Sequence, residues 1–286
     1  MRFAVLGSQG QLGRDLCPRL PGEVIPLTRE QCDLANPNSI APMLDEVAPS
    51  VFINCAAYNL VDKAEQDPTL AWAVNCWGVR ALARECAKRS IRLVHYSTDY
   101  VFGLDAARQT PWHETDAPGP ISMYGMSKLM GEYAVLAAHP AHLVIRTCGL
   151  YGVWGSGGKG GNFVETMIRV AGQGKPLRVV NDQVCCPTYT VDLAQATIAL
   201  IEAKGSGLMH ITNAEWCTWY QLAAAIFQRL NLTADLTPIT SAEFDAPAKR
   251  PPYSVLSNNR LLTFGVPSLR SWSDALDAYL AERSQR

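Results

Sequence analysis

Residues 2–13 read RFAVLGSQGQLG: a short apolar run closes at Gly7, and Gly10 and Gly13 follow at three-residue spacing. The pattern predicts a buried strand, a tight turn and a helix, in that order. Glycines in such a turn let the backbone come close to a pyrophosphate, which then rests at the start of the helix. The run G-x-x-G-x-x-G is a variant of the dinucleotide fingerprint, and a first strand before it with a helix after it is the context that fingerprint needs. Gly7, Gln9, Gly10, Gln11, Leu12 and Gly13 are therefore expected to hold a dinucleotide.

Outward from this turn the chain alternates. Strand-like runs VIPLT (24–28), SVFINCAA (50–57), IRLVHYSTDYVF (91–102) and HLVIRTCGLYG (142–152) are separated by helix-like runs at 39–48, 70–89 and 123–138. Strands rich in Val, Ile and Leu that alternate with helices predict an α/β fold, a Rossmann-type doubly wound parallel sheet covered on both faces. Past residue 150 the pattern changes: VWGSGGKGGN (153–162) reads as a glycine-rich loop, 162–175 as a helix and LRVVNDQ (177–183) as a strand. VDLAQATIALIEAK (191–204) is helical, and GLMHITN (207–213) resembles a return to the sheet. Helical runs at 219–230 and 271–283 flank the Pro-rich stretch DAPAKRPPYSVL (245–256). The expected organisation is a nucleotide-binding domain at 1–149 plus about 190–215, with a smaller substrate-binding lobe from about 150–189 and 216–286.

Composition narrows the function. The 286 residues are 48% hydrophobic and 18% charged, with a net charge of −1. That balance offers no basic surplus for nucleic acid or an anionic membrane. No apolar run reaches the ~18–20 residues of a membrane-crossing helix. The N-terminus passes from one Arg straight into the first strand without a small-residue cleavage site, so no signal peptide is read there. Nine cysteines occur without a C-x-x-C pair, which points to reduced thiols in a cytoplasmic protein and to no zinc.

The ends of the strands carry the candidate site, since ligands of open α/β sheets bind at the carboxyl edge. The second strand ends in Leu27-Thr28-Arg29, and a hydroxyl beside an Arg suits the 2′-phosphate of NADPH better than the bare ribose of NADH. Asp33 and Leu34 fit a segment along the adenine, and Ala56, Ala57 and Tyr58 end the third strand with little bulk before the ring. Asp62 and Glu65 read as the acidic first turn of a helix. Asn75 stands in mid-helix, a costly place for a poor helix former, which suggests a contact of its own. The fourth strand leaves the sheet through Ser97, Thr98, Asp99 and Tyr100.

ISMYGMSKLMGE (121–132) places Tyr124 and Lys128 four apart on one helical face. Ten Tyr and seven Lys give such a spacing by chance in roughly one chain of this length in four, so the neighbours decide its meaning. A phenol titrating near 10 is a weak acid–base group at neutral pH, and an adjacent ammonium favours its ionised form. Lys128 is expected to act on Tyr124 in this way and to bond the nicotinamide ribose, while the Thr98 hydroxyl bonds the carbonyl being reduced.

Taken in order, GSQGQLG, NCAAYNLVDKAEQD, HYSTDYVF, MYGMSKLMGE, NFVETM, NDQVCCPT and RPPYSVL resemble the dTDP-4-dehydrorhamnose reductases of the extended short-chain dehydrogenase/reductase superfamily, over about residues 1–280. The resemblance implies NAD(P)H-dependent reduction of the C4 ketone of dTDP-4-dehydro-L-rhamnose. It makes Tyr124 the proton donor, Lys128 its partner, Thr98 the carbonyl-binding hydroxyl and Asn75 the helix asparagine of the superfamily. Val61, Asp99, Tyr100, Asn162, Phe163 and Gln183 would face the sugar nucleotide, and Arg250 its diphosphate. Two departures stand out. Many relatives read R-T-S-W after the catalytic helix, with the Trp against the sugar, where this chain has Arg146-Thr147-Cys148-Gly149. Some relatives dimerise around magnesium. One of those positions corresponds to Asp15, but another is Val191, which cannot ligate a hard cation, so no metal is expected and the protein is read as a monomer or homodimer. A noncatalytic protein like the regulatory subunits of methionine adenosyltransferase would share this fold, but the intact Tyr124, Lys128 and Thr98 favour an enzyme. Asp99 is followed by Tyr100 rather than Glu, which disfavours a sugar-nucleotide dehydratase.

Overall fold

Every residue of Phe3–Leu6 is buried, and the four alternate between two cores. Phe3 and Val5 join Val51, Ile53, Val94 and Ile145 on one face of a sheet; Ala4 and Leu6 join Phe52, Leu93 and Val144 on the other. This is why the strands read as unbroken apolar runs rather than as alternating ones. The computed structural model describes residues 1–155 and 161–286; residues 156–160 of the expected glycine-rich loop lie outside the described residues. The strands β1 (Arg2–Leu6), β2 (Glu23–Leu27), β3 (Val51–Asn54), β4 (Arg92–Thr98) and β5 (Leu143–Thr147), with a sixth at Gly207–His210, form one parallel sheet. Its order is Gly207–His210, β5, β4, β3, β1, β2. The chain steps outward from β1 to β2 and then returns to the other side of β1 as β3. The strand order therefore reverses between β1 and β3, which opens a crevice at their carboxyl ends.

Helices Ile40–Val47, Val79–Lys88 and Met123–Ala138 cover one face, while Gln11–Leu16 and Thr190–Glu202 cover the other. The long expected helix at 70–89 is interrupted at Ala73–Gly78 by a π-helical turn that contains Asn75. Such turns recur at functional positions. Past β5, helices Phe163–Ala171, Trp219–Arg229 and Trp272–Ser284 enclose a separate core with Tyr151, Tyr189 and Tyr279 at its centre. A parallel pair, Leu177–Val180 with Leu236–Ile239, closes that core. An antiparallel pair, Val184–Cys185 with Cys217–Thr218, ties Gln183 to the start of helix Trp219–Arg229.

Candidate active site

The glycine turn sits in the crevice between β1 and β3. Gly7 has φ +79°, and a Cβ there would stand 2.9 Å from the Ala56 backbone nitrogen at the exit of β3. A side chain is excluded twice over, by the left-handed backbone and by the close approach. Gly7 then lines a cavity of about 180 Å³ with Arg29, Asp33, Leu34, Ala56, Ala57 and Tyr58, seven of the residues expected to hold a dinucleotide. Gln9 and Thr28 line an adjoining hollow with Trp154. The small residues and apolar walls fit an adenosine, and Arg29 is the cation at its rim, with its Nε 3.2 Å from the Asp33 carboxylate. Leu12 and Ser97 turn elsewhere. Leu12 packs into the core, and Ser97 donates to Glu132 Oε1 at 2.5 Å. Gln11 donates to the Leu150 carbonyl at 3.2 Å.

A larger cavity, about 670 Å³, opens between the sheet edge and the segments after β5. Val61, Tyr100, Phe163, Gln183 and Arg250, all expected at the substrate, line it. Arg250 Nη2 donates to both Asp62 oxygens at 3.1 and 3.0 Å, so the ion pair joins residue 62 to the Pro-rich stretch across the cavity. Asp99 and Asn162 are not among the lining residues. Asp99 is buried and accepts from Cys148 Sγ and from Thr98 Oγ1, both at 3.1 Å, which turns it into the protein. Asn162 caps helix Phe163–Ala171: its Oδ1 accepts from the Glu165 N–H at 3.0 Å and its Nδ2 donates to the Gly152 carbonyl at 2.9 Å. Trp219, Phe244, Met167 and Arg178 also line the cavity and were not singled out from the sequence. They arrive on separate elements brought together only by the fold, and no spacing links them to the motifs before residue 150.

Tyr124 lies beside this cavity. Ser122 caps the catalytic helix through its hydroxyl, which accepts from the Gly125 N–H, and Glu65 accepts from the Met123 N–H at 2.7 Å. Glu65 thus has a structural task of the kind expected for it, on a different helix from its own. The Tyr124 ring meets Tyr100 edge to face at 5.7 Å, and the Thr98 hydroxyl lies beside its phenol. Burial pushes the phenol's pKa up, while the neighbouring Thr98 hydroxyl pulls it down.

Lys128 departs from the sequence expectation. Its ammonium donates to the Tyr96 carbonyl at 2.6 Å and stands 3.5 Å from His95 Nε2. Held against the sheet, it does not lower the pKa of Tyr124, and burial brings its own pKa down to about 8, with Glu132 opposing. The physical reason is local: a buried ammonium needs acceptors, and the strand carbonyl supplies one. Asn75 is equally committed. Its Oδ1 accepts from the Tyr58 N–H and its Nδ2 donates to the Tyr58 carbonyl, both at 2.9 Å, and to Ser127 Oγ at 3.0 Å. Ser127 in turn donates to the Tyr124 carbonyl at 2.8 Å, so Asn75 fastens the catalytic helix to the end of β3.

Behind Lys128, one helical turn on, Glu132 forms a fully buried ion pair with Arg146 of β5, with contacts of 2.9, 3.1 and 2.7 Å. The Arg146 guanidinium lies over the Phe102 ring at 5.0 Å. Glu132→Ala should cost about 3–5 kcal/mol of unfolding free energy, because it strands a buried guanidinium. Urea unfolding of the two proteins measures it, and a loss below about 1 kcal/mol would mean that water reaches Arg146.

The parallel sheet, its crossover and its glycine turn define the class, a Rossmann-type short-chain dehydrogenase/reductase fold. The chain belongs to the RmlD substrate binding domain family, whose model matches residues 1–285. It is similar to the dTDP-4-dehydrorhamnose reductase of Mycolicibacterium smegmatis, with 39% identity over 285 residues, 98% of this chain and 85% of that one. It is also similar to a probable dTDP-4,6-dihydroxy-2-methyloxan-3-one 4-ketoreductase of Streptomyces antibioticus, with 41% identity over 96% of this chain and 93% of that one. Among solved structures, the dTDP-4-dehydrorhamnose reductase of Bacillus anthracis in complex with NADP matches with a TM-score of 0.92 and 35% identity, over 98% of this chain and 99% of that one. Among the described residues no helix is long and apolar enough to cross a membrane.

Proposed function

We propose that this protein reduces the C4 ketone of dTDP-4-dehydro-L-rhamnose to give dTDP-L-rhamnose, with NADPH as reductant. The observation that carries the reading is the placement of the Tyr124 phenol beside the Thr98 hydroxyl at the carboxyl edge of the sheet, next to a cavity large enough for a sugar nucleotide. When bound, the nicotinamide supplies the hydride. The protein holds the dinucleotide by the Gly7 turn, Ala56, Ala57 and Arg29. Thr98 and Tyr124 direct their hydroxyls at the ketone oxygen. Tyr124, protonated at neutral pH as any phenol is, then gives up its proton as the oxygen gains negative charge. Lys128 gives one of its three N–H donors to the Tyr96 carbonyl and keeps another for the ribose of a bound dinucleotide. Arg250, oriented by Asp62, faces the diphosphate. Asn75 positions the catalytic helix rather than touching the substrate. We place the enzyme in the cytoplasm as a monomer or homodimer, and its nine unpaired cysteines suit a reducing compartment.

The test is to supply the 4-keto sugar nucleotide with NADPH or NADH, follow the nicotinamide absorbance and identify the product. Oxidation of neither cofactor would sink the proposal. Formation of the C4 epimer, or turnover only of another 4-keto-6-deoxy sugar nucleotide, would move it to a related reductase, the second reading that Gly149 keeps in view. Arg29→Ala should raise the KM for NADPH by about tenfold and that for NADH by less than twofold, as expected for the loss of one exposed phosphate contact. Equal changes would remove the 2′-phosphate from its role.

A further inference from the structure

Gly149 stands two residues beyond Thr147, which pairs in register with Thr98 across β4 and β5. Its neighbour Cys148 is bonded to Asp99, itself bonded to Thr98, so Gly149 sits at the reacting end of the site. Its φ is +52°, and a Cβ built on it would lie 3.3 Å from the Cη2 tip of the Trp219 indole and 3.3 Å from the Pro187 Cα. The space over Gly149 is therefore filled from the other side, by a ring that comes from the second core. Trp219 lines the large cavity and leans on Phe163, with ring centroids 4.8 Å apart. Its placement is rigid. It is the first residue of helix Trp219–Arg229, behind a capping box in which Thr218 accepts from the Gln221 N–H and Gln221 accepts from the Thr218 N–H. The Thr218 hydroxyl is further bonded to Asn181 at 2.7 Å, and the Cys217–Cys185 pairing holds the segment beside Gln183.

We infer that Trp219 is a specificity-determining residue: its indole forms the apolar wall against which the hexulose ring and its C6 methyl pack, in the place that Gly149 leaves open. The inference rests on the sugar-nucleotide reading above and deepens it. A 6-deoxyhexulose presents an apolar methyl and a C–H face, which an aromatic plane accommodates without an unpaired polar group. The nucleotide half makes no demand on this ring, since Arg250 and Asp62 lie on other elements.

The test compares dTDP-L-rhamnose with dTDP, titrated into the NADP⁺-loaded protein by calorimetry. In the parent protein the sugar adds affinity over dTDP alone. In Trp219→Ala that gain should fall by about tenfold or more, the scale of one lost hydrophobic contact, while dTDP and NADP⁺ affinities stay within about twofold. Trp219→Phe should keep most of the gain. Trp219→Leu, which retains apolar bulk without a ring plane, gives the same reading as alanine if the alanine protein does not fold. An unchanged gain in the alanine or leucine protein, or an equal loss of dTDP and dTDP-L-rhamnose affinity, would overturn the assignment. A parent protein that binds neither nucleotide overturns the sugar-nucleotide reading itself, which is a separate result.

Discussion

Tyr124→Phe is expected to lower kcat by 10²–10⁴-fold, the usual range for one positioned acid, with the NADPH Kd unchanged within about twofold. The substitution removes a single oxygen, and the ring contact with Tyr100 at 5.7 Å survives it. Only the hydroxyl beside Thr98, with its proton, is lost. Single-turnover absorbance decay and cofactor fluorescence titration separate the two quantities. Turnover that survives in the phenylalanine protein would show that Tyr124 is not the donor. The direction of the pKa shift matters here. From the sequence, Lys128 was expected to draw Tyr124 toward phenolate, as a base would require. In the structure burial instead moves the phenol's pKa further up, and Lys128 is bonded to the Tyr96 carbonyl.

A second large effect is expected in alkali. Burial raises the pKa of the thiols: Cys32 and Cys186 to about 12, Cys76, Cys86, Cys148 and Cys217 in the same direction, and the half-buried Cys17 and Cys55 likewise, while Cys185 rises to about 11 against a bond with Cys148 that lowers it. For each, the folded pKa lies above the unfolded one. The stability it contributes is complete below the unfolded value, near 8.5–9, and is lost as pH rises toward the folded value. Each thiol that stays protonated costs about 1.4 kcal/mol per pH unit above its unfolded pKa. Lys128 has the opposite sign: with a folded pKa of about 8 it adds stability between there and 10.5, where the unfolded chain still binds the proton. One group against nine leaves a net loss of stability between pH 8 and pH 10, on the order of several kcal/mol. Urea unfolding in reductant at the two pH values gives the number. Equal stability at both would show that the thiols reach water in the folded protein.

How far the site could be read in advance differs between its two halves. The dinucleotide side was legible because its determinants are local. Gly7, Ala56 and Ala57 act through backbone approach, and the residues flanking each strand end are fixed by the strand itself. The substrate side was legible only in part. Val61, Tyr100 and Phe163 sit next to recognisable motifs and do line the cavity, but Asn162 and Asp99 belong to the same kind of motif and point away. A motif specifies that a residue is near the site. The competition for its hydrogen bonds, with a helix N–H in one case and a thiol and a hydroxyl in the other, decides where the side chain goes.

By itself, the sequence determined the parallel α/β architecture, the glycine turn and the Tyr124–Lys128 helix at the carboxyl edge, because apolar runs, glycines and i, i+4 spacing act over a few residues. Only the tertiary structure decided which acceptor Lys128 uses and which ring stands over Gly149. Tyr96 is 32 residues from Lys128 and Trp219 is 70 residues from Gly149. Contacts that distant are set by how the sheet edge and the second core pack together, and no local pattern encodes them.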